Sequence, residues 1–149
     1  MHGRKIGLLG LAITFVLGLS PAAAGDFSLE GYFIGKTSAV GSFSAINGVK
    51  RGFTVDLLGK WNGKTLTLVE DFAYDDGERD RKTWRFEKIG KNKYRGTRED
   101  VIGGTLVTIR GDTARFSYLV DLDARGKSNR VRFYDTMRLQ DDGTVLNKA

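Results

Sequence analysis

The residues whose types and spacing could do chemistry in this chain are carboxylates. Asp71, Asp75, Asp76 and Glu78 fall within eight consecutive positions. Hard cations such as calcium need clustered oxygen ligands, so a metal loop is one reading of them. The spacing fits no EF-hand loop, however, and Asp75-Asp76-Gly77-Glu78 has the composition of a hairpin turn. The adjacent Arg79, Arg81 and Lys82 would also neutralise the patch locally. Glu70 and Asp135 are a second pair of candidates. Each interrupts a row of alternate apolar residues: Leu66, Leu68, Phe72 and Tyr74 around Glu70, and Phe133 and Met137 around Asp135. Unless a bulge intervenes, both point inward. An enclosed carboxylate must be paired, hydrogen-bonded, protonated or facing a polar cavity. Three readings stay open for them: groups lining a ligand pocket, a general acid/base pair, or a plain structural ion pair or bulge. Trp61, Trp84, Tyr74 and Tyr118 join Glu70 and Asp135 as ligand-binding candidates, against the alternative that aromatics on alternating strands are simply core. The pattern assigns no catalytic residue, no metal site and no cofactor.

The residues missing from the chain narrow the chemistry further. There is no Cys, and the one His is His2. The chain begins MHGRK, continues with the apolar run Ile6 to Leu19, and then reads Ser-Pro-Ala-Ala-Ala-Gly. A basic start, an apolar run short for a membrane span and small residues at Ala22 and Ala24 predict a secretory signal peptide over residues 1–24, cut after Ala24. His2 would leave with it. That excludes a Ser-His-Asp triad, a Cys-His pair, a His/Cys zinc site and His-ligated haem. The expected mature chain is one domain over residues 25–149, periplasmic or secreted. With no Cys at the junction it would not be lipid-anchored.

Loss of Arg4 and Lys5 lowers the formal charge from the +6 of the full chain to +4. Basic and acidic residues alternate, as in Asp80-Arg81-Lys82 and Arg98-Glu99-Asp100, which is the pattern of a solvated sheet face and not of a nucleic-acid interface. Peripheral attraction to an anionic membrane surface is compatible with the residual charge.

The elements that must position these groups are strands. Asp26 to Ile34 reads as a strand or short helical turn across one end of the fold. From Lys36 onward, turn signals recur about every ten to fifteen residues: Asn47-Gly48, Asn62-Gly63, Asp76-Gly77, Gly90-Lys91-Asn92, Gly103-Gly104, Gly111-Asp112, Arg125-Gly126 and Asp142-Gly143. Between them, alternation places Phe53, Val55, Leu57, Gly59 and Trp61 on one face, then Trp84 with Phe86, then Phe116, Tyr118, Val120 and Leu122, and finally Val131, Phe133, Met137 and Leu139. No helical periodicity of any length appears. The chain is expected to be all-β, an antiparallel up-and-down meander of about eight or nine strands curled into a barrel or a half-open barrel. A two-sheet sandwich is the alternative.

Several motifs resemble a known family. They are F-x-x-D-x-x-G-K-W-N-G-K-T-L-T-L-x-E-D-F-x-Y-x-D-G-E from Phe53 to Glu78, Trp84, Tyr94-x-Gly96, EDVIG from Glu99, VRFYDTMRL from Val131 and DDGTVLNKA from Asp141. Together they are similar to an uncharacterised family of bacterial envelope proteins, a domain of unknown function with many lipoprotein members. The resemblance spans nearly all of residues 25–149. It implies an exported, lipocalin-like β-barrel and, through neighbouring fatty-acid-modifying enzymes, a connection to lipid. It implies no activity and no site residue. Three departures stand out: no lipidation Cys, Thr136 in place of an aromatic, and an end at Ala149 where similar proteins continue into further strand sequence. An unclosed sheet would leave an open edge, which recruits partners or other copies of the chain.

Three functions follow in order: a binding module holding a fatty acid or other lipid, an envelope interaction protein using an open edge as a homo-oligomer or with a partner, and a carboxylate-dependent lipid-modifying enzyme.

Overall fold

The computed structural model describes residues 11–16, 27–44, 48, 50–124 and 127–149, with side chains outside 11–16 and 122–128. Much of the predicted leader and its cleavage point after Ala24, Asn47 and the Arg125-Gly126 turn lie outside the described residues, as does the side chain of Leu122. The elements are β1 (Leu11–Val16), α1 (Leu29–Phe33), β2 (Gly35–Ser44), β3 (Lys50–Trp61), β4 (Thr65–Tyr74), β5 (Arg79–Gly90), β6 (Lys93–Thr97), β7 (Val101–Ile102), β8 (Thr105–Arg110), β9 (Thr113–Ala124), β10 (Lys127–Leu139) and β11 (Val145–Lys148). Among the described residues the chain is all-β apart from one five-residue helix. Among the described residues no helix is long and apolar enough to cross a membrane.

The strands form an antiparallel meander that curls on itself. From β2 to β6 each strand pairs with the next. β6 then pairs with β8, because the two-residue β7 turns aside to pair with the far half of β9. β9 carries β8 and β7 along one side and β10 along the other. Gly103 and Gly104, both at positive φ, make the turn out of β7 that lets the chain come back as β8. That excursion is one departure from the expected run of short hairpins. A second is the strand count, eleven among the described residues against the expected eight or nine or so, since Leu11–Val16 of the apolar N-terminal run and the two-residue β7 are both strands. β1 lies between β2 and β11, paired with both. The curled half-barrel made by β2 to β11 therefore meets β1 at its two ends.

The interior differs sharply between the two ends of the strands. At one end the side chains are close-packed: Leu66, Tyr94, Val107, Ala114 and Val145 have no solvent exposure. α1 sits over this end. Ser28 caps it by accepting the Gly31 N–H. Its Leu29 and Phe33 are buried, Leu29 N–H donates to the Tyr94 hydroxyl oxygen, and Tyr94 O–H donates to the Glu30 carboxylate, which Lys88 also pairs. Gly59 allows the helix this close, since a Cβ there would stand 1.8 Å from the Phe33 carbonyl oxygen. At the other end burial is uneven: Phe43, Phe53 and Val120 are still buried, while part of the wall is accessible. Along β4, Leu66 and Leu68 are buried, whereas Glu70, Phe72 and Tyr74 on the same face are partly accessible. β10 repeats the gradient, from buried Met137 to partly accessible Phe133 and Val131.

Candidate functional site

Glu70 and Asp135 both point into the curled sheet. The ladders through them run without interruption, Glu70 opposite Leu57 and Lys82, and Asp135 opposite Phe116, so no bulge turns either outward. Asp135 is 5% exposed. The Tyr118 hydroxyl donates to its Oδ2 at 3.2 Å, and the Asn147 side chain is a further donor toward it. Its Oδ1 has no partner among the described residues, and neither does Oδ1 of the buried Asn147. Glu70 makes no hydrogen bond or ion pair among the described residues. Part of its surface is accessible, and burial among the surrounding side chains nonetheless opposes its charge.

Lys82 stands directly opposite Glu70 but does not serve it. Its Nζ lies 3.4 Å from both Asp80 and Asp100. Arg98 is likewise engaged elsewhere. Its Nε and Nη2 grip the two oxygens of Asp100 at 2.5 and 3.0 Å, and its guanidinium lies over the rings of Trp84, at 4.8 Å, and Tyr118, at 5.3 Å. The two cations are matched by Asp80 and Asp100. Glu70 and Asp135 are left without a cation of their own.

The protonation equilibria follow from this arrangement. Burial pushes Glu70 up to about 7; the nearby Arg98 charge opposes that rise and Asp135, Glu99 and Asp100 add to it. Burial also pushes Asp135 up to about 7, against the Tyr118 hydrogen bond, the Arg98 charge and Asn147. Asp100, though burial works against its charge, is held below the usual carboxylate range by Arg98 and Lys82. Burial drives the Tyr118 hydroxyl well above its ordinary value, with Asp135 adding to it, so it serves as a donor. At neutral pH the site therefore holds two partly protonated carboxyls beside the charged Arg98–Asp100 pair.

The aromatic candidates divide by height along the strands. Trp84 and Tyr118 meet edge-to-face, ring centroids 5.2 Å apart, and form the wall against which Arg98 lies. Tyr118 stacks on Phe133 toward the open end. Tyr74 is at that open end, stacked with Phe72 and Phe43, with Arg51 3.7 Å over its ring. Trp61 is at the opposite end, paired with Leu66 beside the β3–β4 turn, and does not join the cluster.

The acidic turn forms ion pairs at the surface. Arg51 binds Asp76 and Glu78, and Arg81 binds Asp71. Among the described residues no group of three or more His, Cys, Asp or Glu is placed to hold a metal ion. Arg98 is the residue that sequence reasoning missed: Arg98-Glu99-Asp100 reads as solvated charge, whereas the Arg98 side chain is only 12% exposed.

No curated protein and no solved structure matches the chain. Residues 20–149 match a family described as protein of unknown function, DUF3833, and the chain belongs to that family.

Proposed function

We propose that the protein is an exported binding module that holds a small amphipathic molecule, a lipid or lipid-like compound, in the open half of its curled sheet. The observation that supports this is Glu70, part-accessible and without a partner among the described residues, on the same inward face as Phe72 and Tyr74. A pocket of this make-up, mostly apolar and aromatic with a few convergent polar groups, is the usual form of a small-molecule site. The test is native mass spectrometry of the purified protein together with titration of the neutral apolar dye Nile red. A co-purifying lipid, or saturable dye binding weakened by Phe72→Ala with the fold intact, is the expected result. Protein that carries no small molecule and leaves the dye unbound would sink the reading.

One observation favours a second reading, an interaction role at the β2 and β11 edges. β1 is drawn from the apolar run predicted to be removed, and it alone lies between those strands. Cleavage after Ala24 would strip the pairing partner from the ten-residue β2 and leave its edge open to a strand from elsewhere. Intact mass and light scattering on the exported protein test this together. A species starting at Gly25 is expected to associate; one that starts there and is strictly monomeric, with β2 amides protected from exchange, contradicts it.

A further inference from the structure

We infer that the ligand's polar head is a hydrogen-bond donor carrying positive charge, an amphipathic amine or ammonium, and that Glu70 and Asp135 receive it. This inference rests on the binding reading above and narrows it. Three acceptors here lack a partner among the described residues, the Glu70 carboxylate, Asp135 Oδ1 and Asn147 Oδ1; the buried Thr37 hydroxyl, level with Glu70 across β3, is also unpartnered and can donate or accept. Asp135 and Asn147 are both more than nine-tenths buried, so neither has bulk water as a substitute, and each missing hydrogen bond is a desolvation cost that a donor would remove.

Charge balance points the same way. The groups around Glu70 are Arg98, Lys82, Asp135, Glu99 and Asp100. Arg98 and Lys82 are held by Asp100, with Asp80 also on Lys82, and Glu99 accepts the Thr83 N–H. A fatty-acid carboxylate would have to draw Arg98 away from a bidentate partner and sit beside two further carboxyls. An ammonium would meet two carboxyls that no cation contacts and that share only the nearby Arg98 charge, next to the rings of Tyr118, Trp84 and Phe133, and ring faces attract cations. Arg98 over Trp84 and Tyr118 already uses that wall in this way. The tail would lie along Phe72 and Tyr74 toward the opening.

The decisive comparison uses three compounds with one tail: dodecylamine, dodecanol and dodecanoate, each below its micellar concentration, displacing Nile red from the full-length protein while far-UV circular dichroism reports the fold. At pH 8 the amine is expected to displace dye at roughly tenfold lower concentration than dodecanoate, with dodecanol between them. That preference should shrink toward pH 5, where Glu70 and Asp135 take up protons while the amine stays charged. Glu70→Gln with Asp135→Asn should bring amine and alcohol level. Equal or tighter binding of dodecanoate at pH 8 would overturn the inference while leaving the binding module standing, as would an amine preference that survives the double substitution. Failure of all three compounds to displace bound dye would also overturn the inference alone; protein that binds no dye at all would overturn both.

Discussion

Replacing Glu70 by Gln should stabilise the protein at alkaline pH and leave it unchanged at acid pH. The Glu70 carboxyl titrates near 4.5 when solvated and is pushed up to about 7 in the fold, chiefly by burial. Between those values the folded state binds more proton than the unfolded state, so unfolding free energy falls as pH rises. The stability is fully present below about 4.5 and is lost as pH climbs through about 7. The size of the loss is about 3 kcal/mol at pH 8, from about 1.4 kcal/mol for each tenfold in proton affinity. Asp135 behaves in the same direction, from 3.8 to about 7. Because the two carboxyls sense one another, they titrate as a pair and the figure for Glu70 alone is an upper value. Gln fills nearly the same volume and carries no charge, so Glu70→Gln removes the pH-dependent penalty without opening a cavity. In urea or thermal melts at pH 4.5 the two proteins should coincide within about 0.5 kcal/mol. At pH 8 the variant should be about 2 to 3 kcal/mol more stable, a melting point roughly 10 °C higher for a domain of this size. Identical melts at pH 8 would refute the reasoning. So would a variant less stable at both pH values, since Glu70 would then be an ionised group held by a partner such as Arg98.

The division into a packed and an open half predicts unequal core substitutions: Leu66→Ala should cost about 2 to 5 kcal/mol and Phe72→Leu under about 1.5 kcal/mol, compared by urea midpoints at pH 5. Gly59→Ala should cost more than about 2 kcal/mol and loosen α1, because the new methyl collides with the backbone at Phe33 and not with a movable side chain; hydrogen exchange at Leu29 to Phe33 reads the loosening. Arg98→Met should destabilise the protein by about 3 kcal/mol at pH 7, leaving Asp100 with Lys82 alone, and should shift Trp fluorescence through Trp84, whereas Arg81→Met on the exposed Asp71 pair should leave the urea midpoint unchanged.

The strands, their inward faces and the inward placement of Glu70 and Asp135 were legible in the sequence, because alternation is a local property and no bulge disturbs β4 or β10. What alternation leaves out is height along the strand. Trp61 shares a face with Phe53 and Val55, yet the Asn62-Gly63 turn puts it at the packed end while Tyr74 stands at the other. Turn positions carried that information, and counting residues from each turn would have separated the two. Arg98 was not legible by any local rule. It falls between β6 and β7, where period two has no hold, and its burial is created by Trp84 and Tyr118 arriving from β5 and β9. The partner of the acidic turn was out of reach for a similar reason, since Arg51 comes from the far strand of the preceding hairpin.

The two halves of the interior also differ in what they do for stability. The end covered by α1 is built as a core should be, with Leu66, Phe86, Tyr94 and Val107 fully or nearly fully buried and the Tyr94 hydroxyl tied to Glu30 and Leu29. Partway along the strands sit two carboxyls that cost several kcal/mol at neutral pH, against a total stability of about 5 to 15 kcal/mol for a domain. Apolar residues of the same size at positions 70 and 135 would continue the rows already formed by Leu66, Leu68 and Phe72, and by Phe133 and Met137, and buried charge is commonly matched or bettered by such replacements. Asp135 at least accepts from Tyr118 and Asn147, but no contact among the described residues accounts for a carboxyl at Glu70. A ligand that supplies the missing donors does, and it makes a measurable demand: the stability gained by Glu70→Gln at pH 8 should be matched by a loss of affinity for a cationic amphiphile. If the substitution raises the melting point and leaves dodecylamine binding untouched, the carboxyls are not there for that ligand.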